Sequence, residues 1–257
     1  MDILESFYET LSRTTAGSYR AIWKVWRAWS TQNNTEILNP TLKEAYGFFA
    51  EIKNRIGSDG KPLAHKTRIN YLMALSAIYG FLKKCDVAKS NPWVELRASL
   101  PSLVGAQKKQ FRMLSAEEVI AMLSAPQGSS KRVIRDRAML SILFASGVRL
   151  SELHQLNIGD FKVSPEGVIY LLLRQTKNGD TAYQSIPEWC AERVSELVKA
   201  RYQEGATNDD PLFPQYKNSG LPGGRCSRRA IQKIFKKYAR LCGIEGVSPH
   251  CARATCT

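Results

Sequence analysis

Residues 136–156 read DRAMLSILFASGVRLSELHQL. The run from Val133 onward has the pattern of a long helix, and Gly147 is placed to close it with a left-handed cap. The chain restarts at once as VRLSELHQL, which sets Arg149 and Glu152 three residues apart, just beyond that cap. Working outward, VIYLLLRQ (168–175) and TAYQSIP (181–187) read as two strands. They are joined across Thr176-Lys177-Asn178-Gly179-Asp180, where Asn-Gly marks a tight hairpin turn. Upstream, Ser115 and Glu118 have the spacing of a capping box that opens a helix to about Leu123. Helices return at 188–202 and 227–243, and a last one starts at Ser248-Pro249, a capping serine followed by proline at the first helical position. Residues 113–257 therefore read as a mixed α/β domain with a small antiparallel sheet.

The first hundred residues read as a helical bundle. Tyr19, Ile22, Trp23 and Trp26 fall on one helical stripe, and so do Leu42, Ala45, Phe49, Ile52 and Ile56, a run that Gly57-Ser58-Asp59-Gly60 is expected to stop. A third helix, residues 65–84, carries Ile69, Leu72, Met73, Ser76 and Tyr79 inward, and its first turn holds Lys66, Thr67 and Arg68. Free backbone N–H groups and the helix dipole favour phosphate at such an end. Asn91-Pro92 ends the bundle or starts a short last helix. RASLPSLVGAQKKQFRM (97–113) then has the Pro, Gly and basic content of a connector, so the expected division is 1–100 for the bundle, 101–112 for a basic linker and 113–257 for the second domain.

The chain has 257 residues, with 37 Lys and Arg against 23 Asp and Glu, a formal net charge of +14. On a chain with 44% hydrophobic residues, enough for packed cores, such an excess predicts attraction to polyanions, nucleic acid above all. No apolar run is long enough to span a membrane, and the opening MDILESFYET is acidic and amphipathic, so the expectation is a cytoplasmic protein with no membrane partner. Six cysteines without a C-x-x-C pair and three histidines argue against zinc and for reduced thiols.

Taken together, residues 136–156, the hairpin LLLRQTKNGDTAYQSIP (171–187) and SPHCARATCT (248–257) resemble, in order and spacing, the catalytic domain of tyrosine recombinases, the phage integrase family of site-specific DNA recombinases. The first hundred residues resemble that family's core-binding, SAM-like helical domain. The resemblance implies a mainly α tyrosine recombinase fold that clamps double-stranded DNA, forms a tetramer on paired sites, and acts on DNA in the bacterial nucleoid. It assigns Arg149, Lys177, His250 and Arg253 to catalysis and Glu152 to support of the arginine and histidine, with no cofactor and no metal. The chemistry it implies passes through five-coordinate phosphorus, whose oxygens two guanidiniums can clamp through paired donors. Each such donor is worth ~3–4 kcal/mol of transition-state stabilisation. Lys177 would protonate the departing 5′ oxygen, and His250 would donate to a phosphate oxygen or take the tyrosine's proton. Lys66, Thr67, Arg68, Lys108, Lys109 and Arg112 are the candidate DNA contacts outside the motif.

The family's nucleophilic tyrosine follows the H-x-x-R motif, whereas all ten tyrosines here precede His250. The expectation is therefore a catalytic domain incomplete at its C-terminus, which binds DNA without cutting it. A naturally non-catalytic DNA-binding relative and a type IB topoisomerase are the alternatives.

Overall fold

In the computed structural model, residues 3–57, 60–100, 112–174 and 180–256 are described. The chain divides into two compact units, Met1–Lys108 and Lys109–Thr257.

The first unit contains α1 (Ile3–Glu9), α2 (Arg13–Gln32), α3 (Leu42–Asn54), α4 (His65–Lys84) and α5 (Pro92–Ala98). Local chemistry starts the helices. Ser12 accepts from the Thr15 N–H, and Thr41 and Glu44 cap each other reciprocally, with Thr41 N donating to Glu44 Oε2 at 2.7 Å. The core is aromatic. Trp26 meets Trp93 edge-on at 4.9 Å and Phe48 at 5.1 Å, and all three rings are buried. Trp26 Nε1 donates to the Tyr79 hydroxyl at 2.8 Å, and that hydroxyl donates to the Ile37 carbonyl.

Two stripe positions differ from the sequence reading. Ile56 is 57% exposed, because α3 ends at Asn54 and Ile56 instead forms a β-bridge with Pro62. Met73 is also exposed, and Leu75 and Ile78 take the core positions on α4. Helical periodicity alone fixes neither the last residue of a helix nor the edge of its buried face.

The second unit is built on α7 (Lys131–Ser146), whose residues Ala138–Phe144 are all buried. Around it pack α6 (Ala116–Ser124), α8 (Leu150–Gln155), α9 (Glu188–Gln203) and α11 (Pro249–Thr255). The strands β1 (Phe161–Val163), β2 (Ile169–Leu173) and β3 (Ala182–Ser185) form an antiparallel sheet in that order, with Leu173 opposite Ala182. Alternation along β2 buries Leu171 and Leu173. The expected small sheet thus has a third strand. A second hairpin, β4 (Pro214–Tyr216) and β5 (Pro222–Arg225), precedes α10 (Arg228–Leu241). Gly223 permits that pairing, since a Cβ there would lie 2.8 Å from the Gln215 carbonyl oxygen. A buried polar chain ties these parts: Arg135 donates to the Pro214 carbonyl at 2.9 Å and pairs with Asp136 at 2.6 Å, and Asp136 accepts from the Tyr238 hydroxyl at 3.0 Å.

Replacing Tyr79 with Phe leaves the Trp26 N–H and the Ile37 carbonyl without that hydroxyl. The expected loss is about 1–3 kcal/mol. Urea unfolding followed by tryptophan fluorescence measures it, because Trp23, Trp26, Trp29 and Trp93 all lie in the first unit. An unchanged midpoint would show that the hydroxyl contributes nothing.

Candidate functional site

Gly147 closes α7 with φ +56° and ψ +24°, the left-handed conformation that side chains with a Cβ resist. The turn it makes is tight, as a Cβ there would stand 3.2 Å from the Cβ of Cys256. Two residues on, Arg149 is the N-cap of α8. Glu152 serves it twice: Oε2 accepts from the Arg149 backbone N–H and Oε1 from Nη1, each at 2.7 Å. The carboxylate is buried, with 4% of its side chain exposed, whereas 40% of the arginine side chain is open. A buried acid thus holds a cation that faces outward.

The second arginine arrives from α11. Pro249, Cys251 and Ala252 are buried and seat this helix on the core. Thr255 Oγ1 accepts from the Leu114 N–H at 3.0 Å, and the Cys256 thiol donates to the Phe144 carbonyl at 2.7 Å. Burial pushes the Cys256 thiol pKa up against an opposing backbone contact from Gly147. So seated, Arg253 donates through Nη1 to the Gly147 carbonyl oxygen at 2.7 Å. A cavity of about 260 Å³ results, lined by Arg149, Glu152 and Arg253, by the Gly147 turn and Cys256, and by Leu173, Ala182 and Gln184 from the sheet. Two guanidiniums 104 positions apart in sequence share one opening, an arrangement suited to an anion with several oxygens.

The other expected site residues are placed differently. His250 is exposed on the first turn of α11 and is not among the residues that line the cavity. Lys177, Lys108 and Lys109 lie outside the described residues. Lys66 is exposed and Thr67 and Arg68 are half-buried in the first turn of α4. Arg112 donates to the Glu245 carbonyl at 3.2 Å and pairs with Glu118. His154, on α8, has its pKa lowered by burial and then by the neighbouring Arg225 and Arg228. Among the described residues no three of His, Cys, Asp and Glu lie close enough together to hold a metal ion, and no helix is long and apolar enough to cross a membrane.

Sequence reasoning missed the charge on α10. Its sequence RRAIQKIFKKYARL buries Ile231, Phe235, Tyr238 and Ala239 and exposes Arg228, Arg229, Lys233, Lys236, Lys237 and Arg240, with no acidic residue to offset them. The signal was available: six cations between apolar positions at helical spacing.

Comparison with known proteins places the chain. The model of the phage integrase family matches residues 112–257, more than half of the chain and the whole of the cavity. The chain belongs to the phage integrase family. Among relatives, tyrosine recombinase XerD of Yersinia pestis is 28% identical over 245 residues, covering 95% of this chain and 76% of the relative. Tyrosine recombinase XerC of Xylella fastidiosa is 28% identical over 249 residues, covering 95% and 75%. A λ integrase fragment, crystallised as a dimer bound to a core site, covers 99% of this chain and 86% of that one, with a TM-score of 0.64 at 15% identity. XerH bound to its difH substrate covers 84% and 58%, with a TM-score of 0.59 at 20% identity. The fold is that of the tyrosine recombinases, and the matched region includes Arg149 and Arg253.

Two outcomes test the local geometry. Gly147→Ala forces a side chain into a left-handed turn, at a cost of roughly 1–2 kcal/mol, read from thermal unfolding. His154 is expected to titrate below the ordinary imidazole value of 6.5. The folded chain then binds fewer protons than the unfolded one as pH falls through that value, so His154's contribution to stability is present above it and lost below it. A histidine titration followed by NMR with a midpoint at or above 6.5 contradicts this.

Proposed function

We propose that the cavity between α7 and α11 binds one phosphodiester of duplex DNA, and that this is the phosphate-activating site of a site-specific recombinase. The observation that carries the reading is the convergence of Arg149 and Arg253 on one opening, with Glu152 locked against the first. In the proposed reaction a tyrosine oxygen attacks phosphorus, and the 5′ oxygen leaves with a proton. The resulting 3′-phosphotyrosine is resealed when a 5′ hydroxyl attacks in the reverse sense. Negative charge builds on the non-bridging oxygens, where planar arginine donors stabilise it. Lys177 is the proposed acid for the leaving oxygen. His250 is assigned to the phosphate or to the tyrosine's proton, and Glu152 to the support of Arg149.

The ten tyrosines of these 257 residues all precede His250, and the nearest, Tyr238, is buried with its hydroxyl on Asp136. The activity proposed for these residues by themselves is therefore DNA binding without cleavage. Strand exchange would be the work of a tetramer on paired sites, acting on chromosomal or mobile DNA in the cytoplasm. The basic face of α10, the first turn of α4 and the Lys108–Arg112 segment are proposed to hold the flanking phosphates. The family match supports this reading over a type IB topoisomerase.

Binding to a duplex at increasing salt tests the clamp. About ten phosphate contacts imply a slope near −9 in log K against log salt, and Arg149→Ala or Arg253→Ala is expected to reduce it by about 1. A slope near zero would sink the clamp. With a nicked duplex the chain is expected to form no covalent adduct. An adduct would mean that one of the ten tyrosines is the nucleophile.

A further inference from the structure

Helix α8 is six residues long, too short for its own hydrogen bonds to fix its direction. Its far end is held from elsewhere. Arg225, at the end of β5, donates through Nη1 to the carbonyls of His154 and Leu156, both at 2.9 Å, and through Nη2 to Asn157 Oδ1 at 2.5 Å. The Asn157 N–H donates to Asp160 Oδ2 at 2.8 Å, and Asp160 Oδ1 accepts from Arg174 Nε at 2.6 Å, just past β2. Asp160 is 1% exposed. A small cavity of about 10 Å³, the size of one water, has Glu152 and Asp160 among its walls together with Arg174. The carboxylate that grips Arg149 and the carboxylate that anchors the end of α8 thus border the same space.

We infer that Arg225 and Asp160 are positioning residues for Arg149: they clamp the C-terminal end of α8, and so set where its N-terminal end presents the guanidinium. Over a helix about 9 Å long, a tilt of about 10° moves the opposite end by about 1.5 Å. Displacements of that size cost roughly a hundredfold where a reacting group must be placed. The inference rests on reading the cavity as the phosphate site only for its effect on DNA, because the placement of Arg149 can be followed without DNA.

The test uses the full chain and two variants. Asp160→Asn removes a negative charge, so general electrostatics predicts tighter DNA binding, whereas lost positioning predicts weaker. Arg225→Lys keeps the charge and loses the fork that serves three acceptors, and it carries the test if Asp160→Asn fails to fold. In the free chain labelled with 15N-arginine, the Arg149 Nε–H resonance is expected to shift in both variants while the rest of the spectrum stays folded. On a mixed-sequence duplex, each variant is expected to weaken binding by about three- to tenfold, and by less than about 1.5-fold when Arg149→Ala is already present. An unmoved Arg149 resonance overturns the inference, as does weakening of equal size with and without Arg149. If Arg149→Ala itself leaves DNA binding unchanged, the phosphate-site reading fails, and the resonance still decides the positioning claim.

Discussion

The left-handed cap at Gly147 is the constraint on which the site depends. It ends the most buried helix of the second unit, turns the chain within two residues, and frees a carbonyl oxygen at the turn. Arg253 takes that oxygen, and Cys256 packs where a side chain on residue 147 would stand. One backbone conformation therefore positions both arginines, Arg149 by covalent continuity and Arg253 by a hydrogen bond. Neither effect is available to a residue that resists positive φ.

Around that turn the charges are sorted by burial. Glu152 and Asp160 are buried acids, each paired with an arginine whose side chain is about half open. Desolvating a carboxylate is costly unless it is paired, and here the pairing also fixes the direction of the partner. On α10 the opposite holds: its six cations are exposed and no acid in the helix restrains them. The unit thus keeps fixed cations at the cavity and, on α10, cations with no acid in their own helix.

How much of this was legible in the sequence follows from the range of each interaction. The Gly147 cap, the Arg149 and Glu152 spacing and the Ser115–Glu118 capping box are local, within three or four residues, and they read directly. The strands β4 and β5 were missed because PQY and PGGR lack β-branched alternation and pair through a glycine that permits close backbone approach. The meeting of Arg253 with Arg149 spans 104 positions, and no periodicity implies it; only the family resemblance pointed there. The Arg225, Asn157, Asp160 and Arg174 chain left no trace, because polar pairs between distant segments have no sequence pattern. Ile56 and Met73 were misplaced since helical spacing marks a stripe without marking where the helix stops or how wide its buried face is.

The two cavity arginines are not electrostatically equal. Arg149 is neutralised by Glu152, whereas Arg253 is held by a carbonyl that carries no formal charge. Among the described residues the cavity side chains therefore sum to a single positive charge, the complement of one phosphodiester at rest. A five-coordinate phosphorus carries more negative charge than that. If the cavity holds that phosphate as proposed, these side chains match its ground state, and the surplus that develops at the transition state calls for one more cation.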